Sequence, residues 1–473
     1  MSLCECFAPG NAPLRRLTML ALAIASVCAT AAPDGNSPDP LTTPDASGWL
    51  RTFTPAGTID TGNPFFQSLG TNGRSCNSCH RQAQGWTVTP AELQQRFSAT
   101  QGTDPIFRTN DGSVSPFADV STVAARRNAY AMLLNRGLIR VGLPIPANAQ
   151  FSLTAVDDPY HYASAAELSL FRRPLPATNL GFLTTVMWDG RETAAPFLPP
   201  MDAGVDSADL DASLTSQAKD AVLGHAQGAA APSAAVLAQI VGFESSLSTA
   251  QIRDDYAGLL NNDDALGGPR VLANLRFHVG INDALGADPT GAAFDPSAMH
   301  LFDAWATQHG NGRSERARAA IQRGEVLFNT FPITITGVAG LNDVTGQPSI
   351  QGHCSTCHDT PNVGNHSVGA PLDIGLTVAA RRTPDMPLYT LTNNQTGASV
   401  QTTDPGRALL TGKWADIGKF KGAILRGLAA RAPYFHNGSA ATLMDVVNFY
   451  DTRFNIGLDA QQKQDLAAFL AAL

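Results

Sequence analysis

The chain is expected to fold as an all-α protein, and three observations predict it. Helical periodicity runs through 232–245 (PSAAVLAQIVGFES), 314–328 (SERARAAIQRGEVLF) and 459–473 (DAQQKQDLAAFLAAL). Strand signals are few and short. Two Cys-x-x-Cys-His segments, Cys76–His80 and Cys354–His358, stand 278 residues apart (358 − 80), a spacing that predicts two separate modules rather than one cluster.

Each helix has its own signals. In the first, Val236, Ile240, Val241 and Phe243 share a face. In the second, Ser314 is the expected N-cap, and Ala320, Ile321, Val326, Leu327 and Phe328 form the apolar side. The third opens with Asp459 as cap and continues in good helix formers. Between them, Pro33–Gly48 is rich in Pro, Asp, Ser and Thr and reads as a flexible mature terminus. Thr100–Gln150 is punctuated by Pro and Gly around an apolar stretch, Asn128–Val141. Asp254–Pro296, rich in Gly and Asp, reads as an insertion or interdomain passage.

The composition fits a globular protein of two or three domains: 473 residues, 44% hydrophobic and 15% charged. A formal charge of −8, from 32 basic and 40 acidic side chains, argues against nucleic acid and anionic membrane surfaces as partners. The first 31 residues have the three parts of a secretory signal: Arg15 and Arg16, the apolar LTMLALAIASVCA, and the small-residue site Ala29-Thr30-Ala31. The apolar run is too short to span a bilayer, and no later stretch is long enough. A periplasmic protein, not embedded in the membrane, is therefore expected. Cys4, Cys6 and Cys28 fall in this leader, so the four cysteines of the mature chain all belong to the Cys-x-x-Cys-His segments. None is left for a disulfide or a separate thiolate site.

Cys-x-x-Cys-His is the attachment motif of haem c: two cysteines three positions apart reach the two vinyl groups of one porphyrin, and the adjoining histidine supplies the proximal imidazole. Two haems are predicted, one on Cys76, Cys79 and His80, the other on Cys354, Cys357 and His358. A zinc reading would require the two distant cysteine pairs to converge. After His80 no histidine occurs until His161, so the first iron either keeps an open face or is capped by His161 from a distant loop.

With these motifs in view, the chain resembles the bacterial dihaem cytochrome c peroxidases and their relative MauG. RRNAYAMLLN (126–135) resembles the family's RNxPTxLN, with Tyr130 for the proline; VMWDGRE (186–192) resembles FWDGR; SLTSQA (213–218) resembles LEEQA; VGFESSL (241–247) resembles FExTL. RGEVLF (323–328) precedes the second haem motif at about the family's distance, and 419–450 (KFKGAILRGLAARAPYFHNGSAATLMDVVNFY) is similar to FKxPxLRNxxxTxPYxHDGxxATLxxxV. Stretches 136–180 and 250–312 look like insertions relative to this pattern. The resemblance implies an N-terminal, peroxidatic haem domain (32–260), a linker (261–313) and a C-terminal, electron-transferring haem domain (314–473), each cytochrome c-like.

It also implies roles. The position that carries a Met ligand to the second haem in the peroxidases is Tyr450 here, as in MauG. A tyrosine ligand stabilises oxidised iron; Met386 is the competing ligand. The Gln and Glu of the family's peroxide site are replaced by Val186 and Thr215, neither of which moves protons, so His225 and Glu192 are the candidate substitutes. Trp188 is the candidate electron relay. A calcium ion is implied at Arg431, Pro433 and Asn128. The implied activity is oxidation by hydrogen peroxide, with a small cytochrome, a cupredoxin or a substrate protein as electron donor. A non-enzymatic dihaem electron carrier and a dihaem oxygenase are the alternatives.

Overall fold

The structure, a computed structural model, describes residues 39–193, 207–307 and 310–473. The expected leader, with Cys4, Cys6 and Cys28, lies outside the described residues. The fold is mixed α/β, not all-α: 32% of residues are helical and 16% lie in strands, which form four sheets among the described residues. No helix of the described residues is long and apolar enough to cross a membrane.

All four sheets are antiparallel. The largest orders Thr42–Pro44, Gly48–Phe53, Ser248–Asp254 and Gly258–Leu259, with Thr52 opposite Thr249. A second orders Ser399–Thr402, Leu388–Asn393 and Phe151–Asp157. Two hairpin-like pairs join Ile139–Leu143 to Leu168–Arg172 and Ile333–Thr336 to Ser349–Gly352. Leu388–Asn393 shows why strands form here: Tyr389 and Leu391 are fully buried while the alternating threonines face outward to partly exposed positions. Such alternation lasts only two or three periods, too few to stand out in the sequence. The partner strand Phe151–Asp157 lies more than two hundred positions upstream. Several strands fall in the stretches that look like insertions, where the helical family pattern offers no guide.

The three expected helices are present. Ala234–Ser245 is capped by Ser233 and buries Leu237, Ile240 and Val241, with Val236 and Phe243 packed against the same core. Arg313–Thr330 starts two residues earlier than expected: Gly312 is the N-cap, and Ser314 lies inside the helix, its Oγ donating to the Ala257 carbonyl at 3.1 Å. Ala460–Ala471 is closed by a reciprocal capping box between Asp459 and Gln462. The apolar stretch 128–141 divides at Tyr130 into Val123–Ala129, Ala131–Arg136 and the strand Ile139–Leu143.

Arg313–Thr330 and Ala460–Ala471 pack closely because Gly324 has no side chain. A Cβ there would fall 2.0 Å from the Asp465 carbonyl oxygen. Beside this contact Arg323 pairs with Asp465 at 2.7 Å. Phe302, Trp305, Ile321, Phe328 and Phe469 fill the core at this crossing, joined by Ala257, Leu260 and Ala265 from the Gly- and Asp-rich stretch. Glu325, fully buried, accepts the main-chain N–H groups of Leu301 at 2.5 Å and Phe302 at 2.9 Å, anchoring the incoming chain.

A buried arginine ties the sheets to the centre. Arg172 ends its strand with its guanidinium bonded to Asp189 at 2.6 Å and to both oxygens of Asp404 at 2.7 and 2.9 Å. Tyr389 Oη donates to the Ser169 carbonyl at 2.8 Å and accepts from the Ser169 N–H at 2.9 Å, linking two sheets.

Candidate functional site: two Cys-x-x-Cys-His segments on one cavity

Both cysteine segments begin as one turn of 3-10 helix, Cys76–Ser78 and Cys354–Thr356. Each turn is set by the residue before it. The Ser75 N–H donates to Ser78 Oγ at 3.0 Å, and the His353 N–H to Thr356 Oγ1 at 2.9 Å. The His80 and His358 N–H groups then return to the carbonyls of Cys76 and Cys354 at 2.9 and 3.0 Å. This winding brings two thiols and one imidazole of each segment to the wall of the same cavity, about 420 Å³ in volume. Segments 278 residues apart in sequence (358 − 80) thus open on a common space.

The imidazoles are set up as ligands. His80 Nδ1 lies 3.0 Å from the Trp86 carbonyl and His358 Nδ1 lies 2.6 Å from the Gly364 carbonyl. Donation from Nδ1–H leaves the lone pair on Nε2, the tautomer a metal requires. Burial keeps both rings neutral: it pulls His80 down to about 4 and His358 below the ordinary range. The four cysteines are unbridged. Burial pushes Cys76, Cys354 and Cys357 up to about 12 and Cys79 to about 11, so they are thiols rather than thiolates. Among the described residues the two pairs do not converge into a four-sulfur cluster, which removes the zinc reading. Apolar and aromatic side chains, among them Phe65, Leu214, Phe328 and Leu372, make most of the wall. Paired thiols, a preset imidazole and an apolar enclosure fit haem c.

Tyr450 stands on the wall with its ring 6.4 Å from the His358 ring, centre to centre, and nearly perpendicular to it. Burial, reinforced by Cys357 and Cys354, raises the phenol, which disfavours a free phenolate. The helix Leu443–Phe454, started by a capping box between Thr442 and Asp445, positions it. Met386 lies elsewhere, buried with Val114, Met132, Leu138 and Phe171 and off the cavity wall. His161 is exposed and also off the wall.

His225 is on the wall, just beyond the helix Ser207–Gly224. Its Nδ1 bonds to Asp111 Oδ2, and Arg74 pairs with Asp111 Oδ1. Burial works to raise Asp111, but Arg74 and His225 overcome it and hold the carboxyl below its ordinary value. Glu192 accepts from Ser216 Oγ at 3.0 Å and is off the wall. Val186 lines the cavity and Thr215 does not. Trp188 lines it too, its Nε1–H donating to the Arg173 carbonyl at 2.8 Å. Arg431 and Pro433 are on the wall, whereas Asn128 is exposed and absent from it. The Arg431 carbonyl accepts from the Arg173 guanidinium at 3.1 Å, so a cation already faces it.

Sequence reasoning missed several wall residues. His436, in PYFHNG, is buried with neither ring nitrogen hydrogen-bonded; it stacks on Phe420 at 4.0 Å and meets Trp188 edge-on at 6.1 Å. Lys421 donates to the Thr185 carbonyl at 2.7 Å, and burial pulls its ammonium down to about 7. Glu244 has an unpartnered Oε1, and burial pushes it up to about 8. His436 and Lys421 fall inside the long motif at 419–450, which was the available signal. Asp111 sits in an ordinary Asn-Asp-Gly turn and gave none.

These features suit haem c attachment at two segments that share a cavity. The comparisons then give its relatives. No protein-family profile matches the chain. Over 186 residues it is 32% identical to cytochrome-c peroxidase IdrP1 of Pseudomonas sp. (strain SCT), covering 35% of this chain and 43% of that protein. It is 30% identical over 188 residues to cytochrome-c peroxidase IdrP1 of Denitromonas iodatirespirans, covering 36% and 44%. To that organism's cytochrome-c peroxidase IdrP2 it is 32% identical over 133 residues, covering 26% and 36%. The matches thus span less than half the length of these curated relatives. They support the cytochrome c peroxidase resemblance carried by the motifs. A solved structure described as a MauG-like protein associated with microbial copper homeostasis aligns over 93% of this chain and 95% of its own, at 16% identity and a TM-score of 0.34, a likeness too loose to bear on fold or chemistry.

Proposed function

We propose that the chain is a periplasmic dihaem c-type oxidoreductase of the cytochrome c peroxidase/MauG type that uses hydrogen peroxide. Its haem-bearing halves are 32–260 and 314–473, with 261–313 between them and 1–31 as the export signal. One observation carries the reading: both Cys-x-x-Cys-His segments open on one cavity, and Tyr450 faces the His358 ring. Cys76, Cys79 and His80 would hold one haem c and Cys354, Cys357 and His358 the other, with Tyr450 beside it; the first would supply iron for peroxide cleavage and the second a store for the second oxidising equivalent.

The chain's own groups do the rest. Peroxide cleavage requires a proton to move from the inner to the outer oxygen. His225, oriented by Asp111 with Arg74 behind it, takes the proton at Nε2 and returns it, in place of the Gln and Glu that Val186 and Thr215 replace. Glu192, held by Ser216 away from the wall, has no such role. Trp188, fixed by the Arg173 carbonyl and touching His436, continues into the Phe420 ring as a run of π-systems suited to electron relay. A small cytochrome, a cupredoxin or a substrate protein delivers the electrons. A calcium ion would take the Arg431 and Pro433 carbonyls on the wall, the first shared with the Arg173 guanidinium, while Asn128 lies off the wall. The electron-carrier alternative needs a second strong ligand beside His80, and His161 is exposed and off the wall.

The test is spectroscopy of the purified holoprotein before and after one equivalent of hydrogen peroxide, repeated with Tyr450→Phe. The wild type is expected to react and to show one six-coordinate haem whose signal is lost in the variant. A wild type inert to peroxide would falsify the enzymatic reading, and an unchanged Tyr450→Phe spectrum would remove the tyrosine ligand.

A further inference from the structure

We infer that Asp283, Asp359 and His366 form a buried site for a divalent first-row transition metal, distinct from both haem-attachment segments. The inference rests on these three side chains and holds whether or not the peroxidase reading does.

One ligand atom from each residue lies within 4.8 Å of the other two. All three residues are buried, with exposures of 2, 0 and 5%. The chain is arranged to bring them there. The Gly280 N–H donates to the Ser367 carbonyl at 2.7 Å and Asn282 Nδ2 to the Asp359 carbonyl at 3.0 Å, tying the 280–288 loop to the segment after the second Cys-x-x-Cys-His. Asp359 accepts the Ser367 N–H at 2.7 Å and Ser367 Oγ at 3.0 Å, and its Oδ2 lies 3.2 Å from His366 Nδ1. Asp283 Oδ2 accepts the N–H groups of Leu285 and Ala287, both at 2.9 Å.

Asp283 Oδ1 is the telling atom. It is buried and has no hydrogen-bond partner. A buried carboxylate oxygen left unpaired is costly. Among the described residues neither carboxylate has a lysine or arginine ion-pair partner, and the group that faces them is the imidazole of His366. A divalent cation held among the three side chains supplies the partner that Asp283 Oδ1 lacks.

The donor set narrows the ion. Calcium and magnesium take oxygen ligands, and an imidazole in the set disfavours both. One imidazole with two carboxylates suits zinc, manganese or iron(II). The ion would staple the 280–288 loop to the chain immediately after His358.

The experiment uses the full-length holoprotein. Zinc, manganese, cobalt, nickel and copper are quantified per chain, with iron set aside because haem contributes it. The protein is then treated with a chelator and titrated with zinc chloride by calorimetry. About one equivalent of zinc should bind at micromolar Kd or tighter, weakened at least roughly tenfold in Asp283→Asn and His366→Ala with haem spectra unchanged. A chelated wild type that binds zinc no tighter than about 1 mM, or equal binding in both variants, overturns the site. If the variants do not fold, X-ray absorption at the zinc edge of the loaded wild type decides. A shell of oxygens with one imidazole supports the site, and a sulfur-containing or imidazole-rich shell refutes it.

Discussion

Replacing Arg172 with Met removes a guanidinium held by two carboxylates in the centre of the molecule while keeping most of its volume. The side chains of Arg172, Asp189 and Asp404 are 2, 1 and 2% exposed. Burial pushes Asp189 upward, but Arg172, with Arg191 behind it, wins and holds the carboxyl at about 2, against an ordinary 3.8. That gap is worth on the order of 2 kcal/mol to the folded state at neutral pH. Because the folded value lies below the unfolded one, the contribution is present above about pH 4 and is lost as pH falls toward 2. In Arg172→Met Asp404 stays buried without its guanidinium and Asp189 keeps only Arg191, at 3.1 Å, a loss that costs about 3–5 kcal/mol. Removing Arg172 raises the Asp189 carboxyl, so acidification protonates it and relieves part of the penalty, the opposite sign to the wild type. Urea unfolding of the holoprotein, followed by circular dichroism at pH 7 and pH 4, should show a deficit of about 3–5 kcal/mol at pH 7 that shrinks at pH 4. A deficit below about 1 kcal/mol, or one unchanged with pH, would refute this account of the Arg172 pair.

Other outcomes follow from the site and the core. His225→Gln should slow the reaction with peroxide by roughly 10²–10⁴-fold with haem content unchanged; stopped-flow rates within roughly twofold of wild type would exclude His225 as the proton carrier. Cys354→Ser combined with Cys357→Ser should leave a chain whose mass shows a single covalent haem, on Cys76 and Cys79, and two retained haems would contradict the attachment assignment. Gly324→Ala places a methyl 2.0 Å from the Asp465 carbonyl. It should destabilise the C-terminal helix pair by about 1–3 kcal/mol, read as a lowered urea midpoint; an unchanged midpoint would mean that the helices separate freely.

What could be read without the structure is local chemistry. A Cys-x-x-Cys-His turn needs only neighbours within five positions, and both segments form the same 3-10 turn. The cap at Asp459 acts three residues ahead and was equally legible. Ser314 was misread because two glycines precede the helix and Gly312 takes the extended cap conformation first.

The tertiary structure decided what depends on distant partners. Strands such as Leu388–Asn393 exist because Phe151–Asp157 completes their hydrogen bonds, and no short window carries that information. Among candidate haem ligands, Tyr450 reaches the cavity while Met386 and His161 do not, a matter of which face of which element packs inward. The Asp111–His225 pair and the Asp283–Asp359–His366 cluster join side chains up to 114 positions apart. The two Cys-x-x-Cys-His segments were legible in the sequence because their covalent reach is a property of adjacent residues. What surrounds each segment was left to the folding of remote segments onto one cavity.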